Sequence, residues 1–329
     1  MNVAIIGYGG LGKLHARNLG KMNDFKLTAI CDINYVPQAD NTYSHFGPAG
    51  TAGKPEFTVY EKSAKMFKNE KIDIVIDALP SYLHTEYNIE ALENGCHVFT
   101  EKPFALTVKD CEAVIRAAKE NRRTLMVGHC MRFWPGWKEL KEYMSDKRYG
   151  KLRYLSLRRM GGSPRKESWF SNPKKSGGVT MDLHIHDVDF ANYLFGKPRA
   201  ISASGIYDKA KGIDVVNAQY RYNDAVVKIE NGWIGQSAFV MEYQAVFDNK
   251  VLTYEDGKLL GFDTGDKKFT EIPVENMGGH QAELAYFLDC VKNGKKPAVC
   301  LPEHSRDSIA LALAGAASMK SGRTVSLKK

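Results

Sequence analysis

The sequence predicts an α/β fold: a doubly wound parallel sheet in the first part of the chain, then an α+β domain built on a largely antiparallel open sheet. Three observations predict it. Near-continuous Val/Ile/Leu runs alternate with helix-period segments up to about residue 130. Past Trp134 the apolar residues change to a period of two. A chain of 329 residues is long enough for two cores better than one.

Taken in order, Asn2 to Ile6 reads as a strand, Leu11 to Leu19 as a helix and Leu27 to Cys31 as a strand. Ile72 to Ala78, His97 to Phe99 and Thr124 to Val127 read as further strands, separated by helices over Thr85 to Asn94 and Val108 to Glu120. Strands this uniformly apolar belong to a parallel sheet covered on both faces. Beyond Trp134, period-two alternation marks Leu152 to Leu157, Ile201 to Tyr207, Val215 to Tyr222, Ala225 to Trp233 and Ala238 to Phe247. Asn223-Asp224 and Asp256-Gly257 supply turns between antiparallel strands. Helices over Gln281 to Lys292 and Pro302 to Lys320 close the chain. The boundary falls between Gly128 and Pro135, giving domains 1–130 and 131–329 with no internal repeat.

The net charge of +8 raises the question of a nucleic-acid partner. Its distribution argues against one. The basic residues fall in short clusters, at Lys119 to Arg123, Arg158-Arg159, Lys174-Lys175 and Lys292 to Lys296, with no long basic stripe. The apolar run Ile309 to Ala317 is too short to cross a bilayer, and Met1 leads straight into a strand rather than a signal peptide. Six cysteines lack any Cys-x-x-Cys pair, so the expectation is reduced thiols in a cytoplasmic protein with no metal.

Gly7-Tyr8-Gly9-Gly10-Leu11-Gly12 matches Gly-x-Gly-x-x-Gly between a strand and a helix, the setting in which that pattern binds a dinucleotide. Gly7 serves the tight turn, Gly9 the approach of the pyrophosphate, and Gly12 close helix packing, while Gly10 and Leu11 open the helix whose N–H groups face phosphate. Twenty residues on, Asp32 ends the next strand, where a carboxylate accepts hydrogen bonds from the adenosine ribose. The first domain is therefore a Rossmann domain. NAD is expected over NADP, because Asp32 repels the additional phosphate and Ile33-Asn34 offers no cation to offset it.

At Glu101-Lys102-Pro103 the sequence resembles the glucose-fructose oxidoreductase, inositol dehydrogenase and rhizopine-catabolism (Gfo/Idh/MocA) family, and the similarity runs across nearly the whole chain. The resemblance takes in Gly12-x-x-His15, Ala78-Leu79-Pro80 with His84, Gly95 to Phe99, Arg132-Phe133-x-Pro135, Trp169, Ser176-Gly177-Gly178, Asp182-x-x-x-His186, Glu283 to Gly294 and Pro302 to Gly322. It implies hydride transfer between NAD and a secondary alcohol of a sugar, polyol or cyclitol, with Lys102, Asp182 and His186 at the catalytic positions. Pro80, His84, Glu101 and Lys102 join the cofactor side, and Arg132, Trp169 and His184 are candidates for the substrate side. The runner-up within the same chemistry is a reductase of an oxo-sugar or sugar nucleotide; a non-catalytic NAD-sensing regulator is the alternative from another class, and the presence of Lys102, Asp182 and His186 weighs against it.

The chemistry supports those residue types independently: a histidine suits removal of the hydroxyl proton near neutrality, and a lysine suits the charge of the forming alkoxide. Read as one helix from Thr180 to Phe195, the sequence puts Asp182, His186, Asp189 and Tyr193 on one face, where Asp182 orients His186 or holds a neighbouring substrate hydroxyl. His184 and His186 diverge by about 200° on such a helix and do not share a metal ion. His184 is left to touch substrate or a subunit interface, and Arg132 to touch ligand or to close the domain boundary with a salt bridge. Trp233, Phe239, Met241 and Tyr243 suggest an open sheet face that pairs copies into a homodimer or homotetramer.

Overall fold

The buried Val/Ile runs of the first part form a six-stranded sheet. A computed structural model of the chain describes residues 1–36, 57–209, 211–265, 267–275 and 277–327. The strands β1 (Asn2–Ile6), β2 (Lys26–Cys31), β3 (Thr58–Tyr60), β4 (Ile74–Asp77), β5 (His97–Glu101) and β6 (Leu125–Gly128) lie in the order β3-β2-β1-β4-β5-β6. Every neighbouring pair is parallel. The helices α1 (Gly10–Leu19), α2 (Ser63–Asn69), α3 (His84–Glu93) and α4 (Val108–Glu120) connect them. This order reverses at β1, and such a switch point, at the carboxyl ends of the strands, is where open α/β sheets bind ligands. The caps fit the sequence: Thr107 accepts the Asp110 N–H to start α4, which buries Cys111, Val114, Ile115 and Ala118.

The chain divides into two units, 1–128 with 280–303, and 129–279 with 304–329. The helix Gly279–Lys292 thus joins the Rossmann sheet rather than the second domain in which the sequence placed it. Side-chain contacts explain this: Phe287 packs on Phe99 with ring centroids 5.6 Å apart, and Lys292 meets Asp24 at 2.6 Å.

The second unit opens with α5 (Trp137–Ser145), β7 (Leu152–Gly161), the short α6 (Pro173–Ser176) and α7 (Ile185–Phe195). Then come β8 (Ala200–Asp208), β9 (Ile213–Arg221), β10 (Val226–Ile234), β11 (Val240–Phe247), β12 (Lys250–Glu255), β13 (Lys258–Asp263) and β14 (Lys268–Ile272). The chain ends with α8 (Gly279–Lys292, already described), α9 (Pro302–Ser321) and β15 (Val325–Ser326). The sheet order is β14-β13-β12-β11-β7-β10-β9-β8-β15, antiparallel except where β10 runs parallel to β7. Short strands from Lys250 onward extend the sheet beyond the five runs visible in the sequence.

Alternation decides which residues share a face, and Trp137 marks the covered one. The Tyr243 ring lies 5.2 Å from Trp137 and its hydroxyl donates to Gly136 O at 2.5 Å. Tyr243 and Trp233 are buried, so neither belongs to an open face; Met241 shares their side of the sheet, and exposed Phe239 precedes β11. On the opposite side, registers align Val226, Tyr154, Val246, Val251, Phe262 and Phe269 in one row across six strands. Among the described residues no helix is long and apolar enough to cross a membrane.

Candidate active site

In the first unit the site is built at the carboxyl ends of β1, β2, β4 and β5. Gly7 has φ +87°, and a Cβ there would meet Ala78 O at 2.7 Å, so only glycine makes this turn without displacing the β4 exit. Gly9 differs: a Cβ built on it meets nothing within 4 Å. Gly9 caps α1 with no side-chain bond, so the first-turn N–H groups that follow it have no partner within the helix. An open surface against unpaired helix N–H groups fits a pyrophosphate. Asp32 stands beside it, accepting Tyr8 N–H at 2.6 Å and Asn34 N–H at 2.7 Å, so its carboxylate is already oriented. These residues fit a dinucleotide.

Lys102 follows β5 and is half-buried. Its N–H donates to Glu101 Oε2 at 3.2 Å, and Glu101 Oε1 meets His15 Nε2 of α1 at 2.6 Å. Burial pushes the Glu101 carboxyl up, but the His15 hydrogen bond and charge outweigh it and hold it well below the usual range. Glu283, fully buried, is pushed well above that range by desolvation and then by the charge of Glu101. Its Oε1 meets His280 Nδ1 at 3.1 Å. Glu101, expected on the cofactor side, is 1% exposed, its carboxylate enclosed between His15 and the Lys102 N–H. His84 is equally enclosed, with both ring nitrogens at backbone carbonyls. His84, expected on the cofactor side, thus meets the backbone carbonyls of Pro103 and Leu79. Beneath lies a polar ladder that the sequence did not signal: Asn88 donates to Thr100 Oγ1 at 2.9 Å, and Thr100 to Asp77 Oδ2 at 3.2 Å.

In the second unit Asp182 and His186 are half-buried, whereas Met181, His184, Ile185 and Asp187 are buried. Thr180–His184 forms a π turn that runs into α7. A π turn closes five residues on, so the uniform four-residue face expected through Asp182 and His186 is broken there. Asp214 of β9 starts this segment by accepting Val179 N–H at 2.9 Å. His184 is fully buried, its Nδ1 2.5 Å from Asn231 Oδ1 and its Nε2 3.1 Å from the Tyr220 hydroxyl. Burial lowers its proton affinity. Asn231 donates onward to Asp187, which also pairs with Arg159 at 2.8 Å. His184 is therefore an interior residue, not a substrate or interface contact, because its ring completes a polar network under the sheet.

Arg132 resolves in the same direction. Its Nε and Nη2 donate to the two oxygens of Asp189 at 2.8 and 2.7 Å, and its guanidinium lies 4.7 Å from the Tyr193 ring centroid. Burial pushes Asp189 up, but Arg132, His129 and the Ser308 hydroxyl hold it below the usual range. Arg132 is thus consumed by an internal pair, and Asp189 faces inward. Trp169 stacks on Phe170 with centroids 3.8 Å apart in a short 3₁₀ turn.

Residues 1–129 match the GFO_IDH_MocA family, described as an oxidoreductase family with an NAD-binding Rossmann fold, and residues 137–250 match the GFO/IDH/MocA C-terminal domain. The 2,7-anhydro-N-acetylneuraminate hydratase of Mediterraneibacter gnavus is 31% identical over 205 residues, 61% of this chain and 51% of that protein. The chain thus spans about half the length of that relative. The scyllo-inositol 2-dehydrogenase (NAD(+)) of Bacillus subtilis is 28% identical over 320 residues, covering 90% of this chain and 87% of the other. The crystal structure of an aldose-aldose oxidoreductase from Caulobacter crescentus superposes with a TM-score of 0.85 over 99% of both chains, at 23% identity, a likeness of fold.

Proposed function

This chain belongs to the GFO/IDH/MocA oxidoreductase family, and from that premise we propose that it oxidises a secondary alcohol of a sugar, polyol or cyclitol with NAD. The observation that carries the reading is the shared sheet edge of the first unit. There the open Gly9 surface, Asp32, the Leu79–Pro80 turn and Lys102 all follow the carboxyl ends of its strands.

The glycine turn and α1 hold the pyrophosphate, and Asp32 the adenosine ribose. Bound NAD supplies the hydride acceptor. The C–H bond of the carbinol breaks with its electron pair, the O–H proton passes to His186 and a C=O bond forms. His186 takes that proton on Nε2, since Nδ1 is enclosed by the fold. Lys102 stabilises the developing alkoxide, and Asp182 orients the imidazole or a neighbouring hydroxyl. Incubating the protein with NAD and a panel of inositols, aldoses, amino sugars and sugar nucleotides, while following absorbance of the reduced cofactor, tests this. Tight NAD binding with no reduction by any member would overturn it in favour of a non-catalytic sensor.

The assembly we propose is a cytoplasmic homodimer through the uncovered sheet face. The row from Val226 to Phe269, with Phe269 62% exposed, is flanked by Arg158, Glu230 and Glu242. An apolar row beside charges of both signs suits pairing with a second copy. Light scattering that gave a monomer at micromolar concentration would remove this assignment.

A further inference from the structure

His84 opens α3, and its ring links two separate turns. Nδ1 lies 2.8 Å from Pro103 O and Nε2 lies 2.9 Å from Leu79 O. Leu79 and Pro80 leave β4, whereas Pro103 directly follows Lys102 beyond β5. Both turns lie outside the strands, so the ladder between β4 and β5 does not fix them relative to each other. Carbonyl oxygens only accept, so satisfying both contacts takes a proton on each ring nitrogen. A ring with one proton would instead turn a lone pair onto a carbonyl oxygen in an enclosed space.

We propose that His84 is a positioning residue, a two-donor clasp that sets the Lys102 turn against the Leu79–Pro80 turn and so ties placement of the lysine to the cofactor-side loop. The roles of those two turns rest on the oxidoreductase reading above; the clasp itself rests on the geometry. Lys102 is then held from both neighbours in sequence. On one side its N–H bonds Glu101, which His15 of α1 anchors; on the other, His84 holds the Pro103 carbonyl. The acidic groups near the ring are Asp77, buried under the Leu79 N–H and Thr100, and Glu101 beyond it. Burial pushes the Asp77 carboxyl above its usual range, and neighbouring His84, the Leu79 N–H and the Thr100 hydroxyl offset only part of that.

The test separates the two bonds. Asn places an amide nitrogen where Nδ1 sits, and Gln places one near Nε2. His84→Asn therefore keeps the Pro103 contact and gives up Leu79, while His84→Gln does the reverse. One lost buried hydrogen bond corresponds to about tenfold. His84→Asn should weaken NAD binding by about tenfold, more than it lowers kcat. His84→Gln should lower kcat by about tenfold, more than it weakens NAD binding. Equal effects of the two variants on both quantities, or a change in Tm alone, would overturn the clasp. In the wild type, long-range ¹H–¹⁵N spectra of histidine-labelled protein should show both His84 nitrogens donating hydrogen bonds, with and without NAD. A neutral ring pattern would overturn it even if both variants misfold. If the wild type turned over no alcohol, the functional reading would fall, while the spectra and NAD titrations would still judge the clasp.

Discussion

Replacing Arg132 with methionine removes two charge-assisted hydrogen bonds from a carboxylate that has no access to solvent. Asp189 keeps the Ser308 hydroxyl at 2.8 Å and His129 Nδ1 at 3.3 Å, neither of which replaces a guanidinium. Breaking one side of a buried pair costs about 3–5 kcal/mol, most of it the stranded charge. For a domain of roughly 150–250 residues that lowers Tm by about 6–20 °C, read by near-ultraviolet circular dichroism on heating. The folded Asp189 value is depressed, so its contribution is present above the ordinary aspartate range and lost as pH falls through the lower folded value. The gap between wild type and Arg132→Met should therefore narrow in acid. Adding Asp189→Leu should recover much of the loss, because the stranded charge goes with it. A Tm within about 2 °C of wild type, with a raised substrate KM, would refute the internal pairing and return Arg132 to the ligand.

Other residues give equally direct outcomes. Asp32→Ser should narrow a preference for NAD over NADP of at least about tenfold, chiefly by weakening NAD binding in paired titrations. His186→Ala should cut turnover by on the order of 10² to 10⁴ with NAD affinity nearly intact; more than about a third of wild-type turnover retained, with chemistry rate-limiting, would transfer the base to Lys102. The Glu283 value is raised, so its contribution is present below 4.5 and lost as pH rises through the folded value. Glu283→Gln should therefore match wild type near pH 4 and melt higher in alkaline buffer, by up to about 1.4 kcal/mol for each pH unit between the two values.

What the sequence made legible was local. The glycine turn, Asp32 and the end points of α4 follow from residues a few positions apart or from one strand-to-strand step. His184 was not legible, since its partners Asn231 and Tyr220 lie 47 and 36 residues away and only folding brings them together. The same holds for Arg132, whose partner is 57 residues on. Period-two alternation placed Tyr243 on a sheet face, but which face is covered depends on Trp137, more than a hundred residues earlier. The π turn at Thr180–His184 leaves no mark in a 3.6-residue period, so the shared face of Asp182 and Asp189 came from assuming one uniform helix. His84 carried a motif signal without its role, because both of its partners are backbone carbonyls.

The central claim is that a carbinol hydride leaves the substrate and reaches NAD in this protein. Using the substrate that the panel identifies, deuterated at the oxidised carbon, mass spectrometry of the reduced cofactor measures that transfer directly. The account predicts one deuterium per reduced NAD from the wild type, and the same label at a far lower rate from His186→Ala. Reduced cofactor that carries no deuterium would contradict it.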